Sequence, residues 1–412
     1  MMGHFHGPSP EDIAKNPPML GGGAKRLAVV AGAVGVAGIA GAYLLGNNEA
    51  DAMRHFYFSY LAAYSFWLSI ALGALFYTIV HFLLRDGSSV VIRRIAENWA
   101  GTIPVLAVLL LPILIPILSG SHELYWWLDP AVRESDPLVV HKSGYLNLGF
   151  FTIRIIAYFV VWIILGLIFR SQSLRQDQTG DAGITRRLWS FSAPAMLLFA
   201  LSVTFFAVDM IMALDAHWFS TIFGVYFFAG CMVGAYAVLS LSTTLVQAAG
   251  KLRTAITAEH YHDLGKLLFA FLFFWGYIAF SQFLLYWYGN IPEETGWYIR
   301  RFDGDWLIVS VALLLLHLLM PFPILLSRYI KRRKLLLSFM ACWMLIAHLL
   351  DMYWLIMPEF NSAGVSLGLI DAACLVGIGG IMIAVFLALT SAKALVPLRD
   401  PNLGESLNFE NV

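Results

Sequence analysis

Charged residues are scarce in this sequence. Asp, Glu, Lys and Arg together make up 13% of its 412 residues, whereas soluble domains typically carry about 25%. Apolar residues reach 59%, and the mean hydropathy is +0.74. A water-soluble fold of this length could not bury that much apolar surface. The scarcity of charge therefore excludes a soluble globular protein and indicates a chain that folds in lipid.

The sequence also has little cysteine and no net charge. Its three cysteines all lie inside apolar runs, and it contains no CxxC or CxxCH motif. Disulfides, attached c-type haem and iron–sulfur ligation therefore have no support in the sequence. The 26 basic residues balance 26 acidic residues, so no excess of positive charge points to a nucleic acid.

Long apolar runs are what the sequence has instead. A helix needs about 20 mostly apolar residues to cross a bilayer, and ten segments have that length. Their predicted limits are 25–46, 56–84, 89–118, 146–169, 186–214, 217–248, 262–288, 304–328, 334–357 and 365–392. We therefore predict an all-α integral membrane protein of about ten transmembrane helices. Prolines in the third and eighth segments predict kinks near the helix ends.

Basic residues are distributed unevenly around these segments. Nineteen of the 26 Lys and Arg belong to the tails and alternate loops on one side, and five belong to the loops on the other side. Because Lys and Arg favour the cytoplasmic side, both termini are predicted to be cytoplasmic and the loop 119–145 to lie outside. Residues 1–24 and 396–412 are then retained cytoplasmic tails, and 25–395 is the transmembrane domain.

Ionisable side chains inside the predicted spans need a partner or a function, because charge at membrane depth costs a few kcal/mol. By the predicted limits, Arg154 and four other groups lie in the outer half of the membrane, and His317 lies near its centre. Water-filled gaps between such groups would admit protons from outside. The predicted proton path consists of Asp209, His317, His348, Asp351 and Asp371.

These ionisable groups also have possible structural or cofactor-binding roles. Arg154 can instead form a structural ion pair with Asp209 or Asp371. Haem b needs paired His ligands on facing helices, but His81 lies near the inner end of its span and His348 in the outer half of another. The sequence therefore predicts no haem. Glu97, His260 and other charged groups at the inner helix ends are expected to be solvated.

Three separated motifs resemble one family of membrane proteins. They are FYFSYLAAYSFWLSIALGALFY with RRIAE at 56–77 and 93–97, DAHWFSTIFGVYFFAG at 215–230, and HLLDMYWLIMP at 348–358. Together they resemble the smaller NrfD-like, or polysulfide-reductase-type, membrane subunit of bacterial alternative complex III. The resemblance extends over most of residues 25–395. It implies two four-helix bundles with flanking helices, in the bacterial inner (cytoplasmic) membrane.

The resemblance also implies a function. Alternative complex III is a quinol oxidoreductase, and its smaller NrfD-like subunit is regarded as a proton conduit without a redox centre. The implied partners are the larger NrfD-like subunit, an iron–sulfur subunit, multihaem cytochrome c subunits and membrane lipids. Haem c and the iron–sulfur clusters would belong to those partners, no cofactor is expected on this chain, and quinone binding stays open. The alternative is a free-standing proton-coupled secondary transporter that uses the same Asp and His residues.

Overall fold

The computed structural model describes residues 8–47 and 50–411, and these contain ten helices that are long and apolar enough to span a membrane. Helices α1 to α10 are Gly22–Gly46, Ala52–Leu83, Val90–Leu118, Leu148–Thr179, Ala182–Leu214, Phe223–Ala248, Ala258–Gly289, Gly304–Leu326, Lys334–Glu359 and Leu369–Ser391. Short helices are Pro10–Lys15, Pro130–Ser135, Pro137–His141, Pro292–Phe302, Arg328–Arg332 and Leu403–Leu407. No strand occurs in the described residues, so the predicted all-α membrane fold is confirmed. The first seven residues of the predicted N-terminal tail lie outside the described ranges.

The helices form two bundles around a shared centre. Helices α2 to α5 contact one another in the first bundle, and α6 to α9 do so in the second. Helices α2 and α6 are the most buried and pack against each other where the bundles meet. Helices α1 and α10 pair closely and attach to α2 from outside. This is the predicted arrangement of two four-helix bundles with flanking helices.

Helices α3 and α8 are irregular, and the irregular turn of α8 contains His317. Helix α3 consists of three segments, and Pro104 and Pro112 occupy the first turns of the second and third. In α8, residues Leu314–Leu319 form a π-helical turn in which the Met320 N–H reaches the Leu315 carbonyl. Proline cannot continue an α-helical hydrogen-bond ladder, so the turn before Pro321 widens. The irregular turn thus lies in the middle of α8, and not near its end as predicted.

Both tails fold against the same end of the bundle, which we call the terminal face; the opposite end is the distal face. The Leu395 N–H donates to the Pro18 carbonyl at 2.9 Å. His260 Nε2, on α7, lies 2.9 Å from the Ser406 carbonyl oxygen. Residues 395–411 therefore form an ordered cap, although the sequence predicts only a tail after residue 395.

A buried ion network holds the terminal face together. Glu97 on α3 lies between Arg93 and Arg94, and Arg94 also reaches Asp177 at 2.9 Å. Asp177 lies on α4, which extends ten residues beyond its predicted end at 169. Glu97 is only 1% exposed. The expectation that Glu97 and His260 are solvated is therefore wrong, because the helix extensions and the C-terminal cap cover them.

Candidate functional site

Asp209 of the predicted proton path forms an ion pair. Its two carboxylate oxygens accept hydrogen bonds from Arg154 at 2.8 and 2.9 Å, and Oδ2 also accepts one from Tyr158 at 2.7 Å. Arg154 and Tyr158 lie one turn apart on α4, opposite Asp209 on α5. The bidentate geometry makes this a structural clamp between two helices. The structure therefore separates Asp209 from the predicted path.

Asp371 also lies apart from the other path residues. Helix α10 begins at Leu369 and not at 365, so Asp371 is in its first turn. One carboxylate oxygen accepts the Gly368 N–H at 2.8 Å, and the other accepts the Ser59 hydroxyl at 2.7 Å. Asp371 thus caps the start of its own helix. The sequence placed it too deep because the apolar run begins before the helix does.

Asp351 and His348 remain together, and they are fully buried in the second bundle. The Tyr226 hydroxyl on α6 donates to Asp351 Oδ1, and the Trp275 indole N–H on α7 donates to Oδ2 at 3.0 Å. Unlike Asp209, Asp351 forms no ion pair with a Lys or Arg of the described chain. Its charge is therefore not permanently neutralised.

The hydrogen bonds of His348 define which ring nitrogen is free. The Ser69 hydroxyl donates to the Phe66 carbonyl at 2.7 Å, so its oxygen accepts from His348 Nε2 at 2.8 Å. We infer that neutral His348 carries its hydrogen on Nε2. Nδ1 then faces Asp351 Oδ2 at 4.0 Å and has no other partner among the described residues. Two acceptors that face each other can share one proton, held on either group or on a water between them.

The backbone of α6 packs directly against the His348 ring. A Cβ atom at Gly230 would lie 2.8 Å from His348 Cε1, and one at Gly234 would lie 3.1 Å from Cδ2. Only glycine lets the helix backbone approach the imidazole this closely. The two glycines, one turn apart, therefore set the position of the ring.

His317 is the third member of the buried cluster. It lies in the π-helical turn of α8, and its ring centroid is 3.7 Å from that of Trp275. Neither ring nitrogen has a hydrogen-bond partner in the described part of the chain. Such turns are frequent at functional sites. Trp275 thus contacts His317 with its ring and Asp351 with its N–H.

The buried cluster is compact enough to hold one small occupant. One ligand atom each from His317, His348 and Asp351 lies within 4.8 Å of the other two. A tetrahedral metal with bonds of about 2.0–2.1 Å would bring such atoms to roughly 3.4 Å from one another. A water with two hydrogen bonds of about 2.8 Å spans roughly 4.5 Å. The 4.0 Å between His348 Nδ1 and Asp351 Oδ2 lies between these two spacings, so the cluster has room for a bound water or a metal ion.

A line of polar side chains leads from the distal face toward this cluster. The Ser220 hydroxyl donates to Gln282 at 3.0 Å, and the Gln282 amide donates to the Tyr298 hydroxyl at 3.2 Å. Gln282 lies seven residues from Trp275 on α7, which is about 10 Å along the helix. Tyr298 also lines a pocket of about 400 Å³ at the distal end of α7. Polar groups thus extend from the distal surface to within about two helical turns of Trp275, which donates a hydrogen bond to Asp351.

Fixed charges lie beside the distal end of this line. Arg301, on the short helix Pro292–Phe302, stacks over Trp297 at 3.4 Å and contacts Glu359 at 3.4 Å. Burial lowers the pKa of the Arg301 guanidinium to about 10, so it stays charged at neutral pH. Arg300 pairs with both Asp215 and Glu359.

The terminal side of the cluster is closed by a close helix contact. A Cβ atom at Gly73, one turn from Ser69 on α2, would lie 2.2 Å from the Cys231 carbonyl oxygen on α6. Beyond this contact, the Tyr77 and His81 ring centroids lie 4.1 Å apart with the ring planes tilted by 50°, and His81 Nδ1 lies 2.6 Å from Asp86 Oδ2. The His81–Asp86 pair is therefore separated from His348 by packed backbone.

The sequence did not identify Ser69, Tyr226, Trp275 and Gln282 as site residues. One signal for Ser69 was present, since Ser65, Ser69, Gly73, Tyr77 and His81 recur every fourth residue and form a polar stripe on α2. Tyr226 lies inside the second family-like motif. No feature of the sequence distinguished Trp275 and Gln282 as site residues, because lipid-facing aromatic residues surround them in the sequence.

The sequence matches no model of a known protein family and is similar to no curated protein.

Proposed function

We propose that this chain is a non-redox membrane subunit of a quinol-oxidising respiratory complex of the alternative complex III type, and that it holds and conducts protons at Asp351. The bacterial inner membrane, cytoplasmic termini and the partner subunits named above belong to the same proposal. It rests on the resemblance of the three motifs together with the geometry of the buried cluster.

One observation carries the proposal: side chains from all three motifs meet at one point. The contacts form one continuous chain. Ser69 of the motif 56–77 bonds to His348, which faces Asp351 within the motif 348–358, and Tyr226 of the motif 215–230 donates to Asp351. The motifs are separated by more than a hundred residues along the chain. If the three motifs served only to pack helices against one another, they would not need to meet at Asp351, a carboxylate whose hydrogen-bond donors are uncharged.

The proposed path begins at the distal face. Protons enter by Tyr298 and Gln282, are carried by water over the roughly 10 Å along α7 that separates Gln282 from Trp275, and are held between Asp351 and His348. Rotation of the Asp351 carboxyl or a bridging water passes the proton to His317. The close α2–α6 contact at Gly73 supports a path that is open from the distal side only, that is, a half-channel.

Secondary transport is the other candidate, and the irregular helix α8 favours it. Transporters bind substrates at interrupted helices near the membrane centre, at matched positions in two repeats. With a four-helix offset, α8 corresponds to α4, but α4 is continuous over Leu148–Thr179. The second repeat therefore has an interrupted helix and the first repeat has no counterpart to it, so the subunit proposal has the better support.

The substitution Asp351→Asn tests proton conduction. Asn nearly preserves the shape and still accepts the Tyr226 hydrogen bond, so the complex should assemble. We expect the proton-to-electron ratio in proteoliposomes to fall while the quinol oxidation rate is largely kept, since no redox centre is proposed here. His348→Gln should change the ratio in the same direction.

Asp209→Asn is the matched control, because Asp209 is equally buried but is paired with Arg154. It should reduce assembly and leave the proton-to-electron ratio of whatever complex forms unchanged. An unchanged ratio in a well-assembled Asp351→Asn complex would remove Asp351 from the path. Purification tests the partners: copurifying haem c and iron support the subunit proposal, and a haem-free monomer supports the transporter.

A further inference from the structure

A second pocket opens sideways into the bilayer. It has a volume of about 370 Å³ and lies between α2, α9 and α10, near the distal face. Ile346 and Leu367 on its rim are 68% and 70% exposed, so a ligand can enter from the lipid. The volume is at the lower end of the range for small-molecule sites, about 300–1,000 Å³.

The sequence of α2 creates the space. Ala62 and Ala63 line the pocket, whereas the turns on either side of them carry Phe58 and Phe66. Leucine and isoleucine side chains of α9 and α10 complete an aliphatic wall. This part of the pocket suits a hydrocarbon chain.

One end of the pocket is polar. Asp371 lines it, and each of its carboxylate oxygens already accepts one protein hydrogen bond, which leaves lone pairs for another donor. His55 Nε2 lies 3.2 Å from Oδ2, without hydrogen-bond geometry. Ser59 and Tyr353 line the same pocket.

The Tyr353 hydroxyl lines this end of the pocket and, like His55 Nε2, is unsatisfied in the described chain. Tyr353 is 7% exposed, and its hydroxyl is buried without a hydrogen-bond partner in the described chain. The Ser366 backbone N–H lies nearby, but it is not in hydrogen-bond geometry and would not accept the hydroxyl hydrogen. A buried hydroxyl without a hydrogen-bond partner is destabilising, and a ligand acceptor would supply that partner.

We propose that this pocket binds one membrane lipid whose polar end is an uncharged hydroxyl. A hydroxyl can donate to Asp371 and accept from Tyr353 at the same time. An ester or ether oxygen could only accept. A phosphate would be repelled by Asp371, and no Lys or Arg is among the described residues that line the pocket. Both an aliphatic alcohol and a hydroquinone have the required chemistry.

The site is independent of the function proposed above. Tyr353, Leu349 and Leu350 line the pocket from α9, whereas His348 and Asp351 of the same helix form the buried cluster. Its test therefore measures lipid binding and not proton transfer.

Native mass spectrometry of the purified full-length chain tests the proposal with three probes that share one hydrocarbon chain: oleyl alcohol, oleyl methyl ether and oleyl phosphate. We expect one oleyl alcohol per chain, bound about tenfold more tightly than either other probe. A decyl hydroquinone competes for the same position if the natural ligand is a hydroquinone, and fails to compete if it is an aliphatic alcohol. Equal binding of all three oleyl probes would overturn the proposal.

Two variants locate the site. Ala63→Leu fills the aliphatic part and should abolish the specific oleyl alcohol, whereas Ala270→Leu, at an exposed alanine of α7 outside the pocket, should not. Tyr353→Phe leaves the packing intact and should weaken oleyl alcohol binding by roughly fivefold to tenfold through the lost hydrogen bond. Unchanged binding in Tyr353→Phe would show that the alcohol binds elsewhere, even if Ala63→Leu does not fold.

Discussion

At the scale of single residues, two aspartates in similar settings have different partners. Asp209 and Asp351 each precede a methionine near the distal end of a helix, and both are fully buried. Asp209 faces the Arg154 guanidinium, whereas Asp351 faces a phenol and an indole. A buried ion pair cannot lose one charge without leaving the other uncompensated. Only the acid with neutral partners can gain and release a proton at low cost.

The ion pair should be measurable as a stability contribution. Asp209→Leu leaves Arg154 buried and unpaired, so we expect the free energy of unfolding to fall by about 3–5 kcal/mol. The double variant Arg154→Leu with Asp209→Leu removes both charges and should recover most of that loss. Thermal unfolding in detergent measures both, and a double variant as unstable as the single one would contradict the pairing.

At the scale of helices, α1 is held by glycine contacts with α10. A Cβ atom at Gly35 would lie 2.6 Å from the Ile381 backbone nitrogen, and one at Gly38 would lie 2.8 Å from the Gly377 Cα atom. Lipid offers no hydrophobic drive for helices to associate, so close backbone packing has to provide it. Much of the outer surface of α1 is exposed valine and leucine.

Gly35→Leu should therefore detach α1 from α10. The positions of Gly32 and Ala384 provide a reporter, because a Cβ atom at Gly32 lies 3.5 Å from the Ala384 Cβ, within disulfide range. We expect the cysteine pair Gly32→Cys with Ala384→Cys to oxidise readily, and Gly35→Leu to prevent it. Gly41→Leu is the control, since Gly41 has nothing within 4 Å. Cross-linking that survives Gly35→Leu would mean that other contacts hold α1.

At the scale of the whole molecule, the two faces have different coverings. The terminal face is closed by both tails and the Arg93–Arg94–Glu97 network. The distal face is covered by the loop 119–145, whose Trp126 and Trp127 indoles donate to backbone carbonyls at the end of α5. The described parts of both tails thus pack together at one end of a bundle with an even number of candidate spanning helices.

Topology reporters should separate the two faces. The distribution of Lys and Arg predicts that a reporter fused to the C-terminus is active in the cytoplasm. One inserted after Glu134, an exposed position in the distal loop, should be active outside. An outside C-terminus with a cytoplasmic loop would reverse the orientation and with it the direction of the proposed proton entry.

The sequence alone determined the fold class, the number of helices and most of their limits, because apolar runs of membrane length have few alternatives in lipid. It also identified the ionisable groups buried inside the spans, such as Asp209 and Asp351, which are conspicuous in apolar runs, but not those buried at helix ends, such as Glu97. The limits failed where polar residues extend a helix, as in α4, or where an apolar run precedes the first turn, as before Asp371.

Only the tertiary structure decided which of those groups meet. Hydropathy and spacing place a side chain at a depth and on a face of its own helix, but partners on other helices depend on rotation and tilt, which side-chain packing sets. Thus Arg154 pairs with Asp209, and Asp371 caps its own helix. Asp351 accepts hydrogen bonds from Tyr226 and Trp275, which lie on helices that the sequence does not connect to it. The close approach of α6 at Gly230, which positions His348, likewise exists only once the helices are packed.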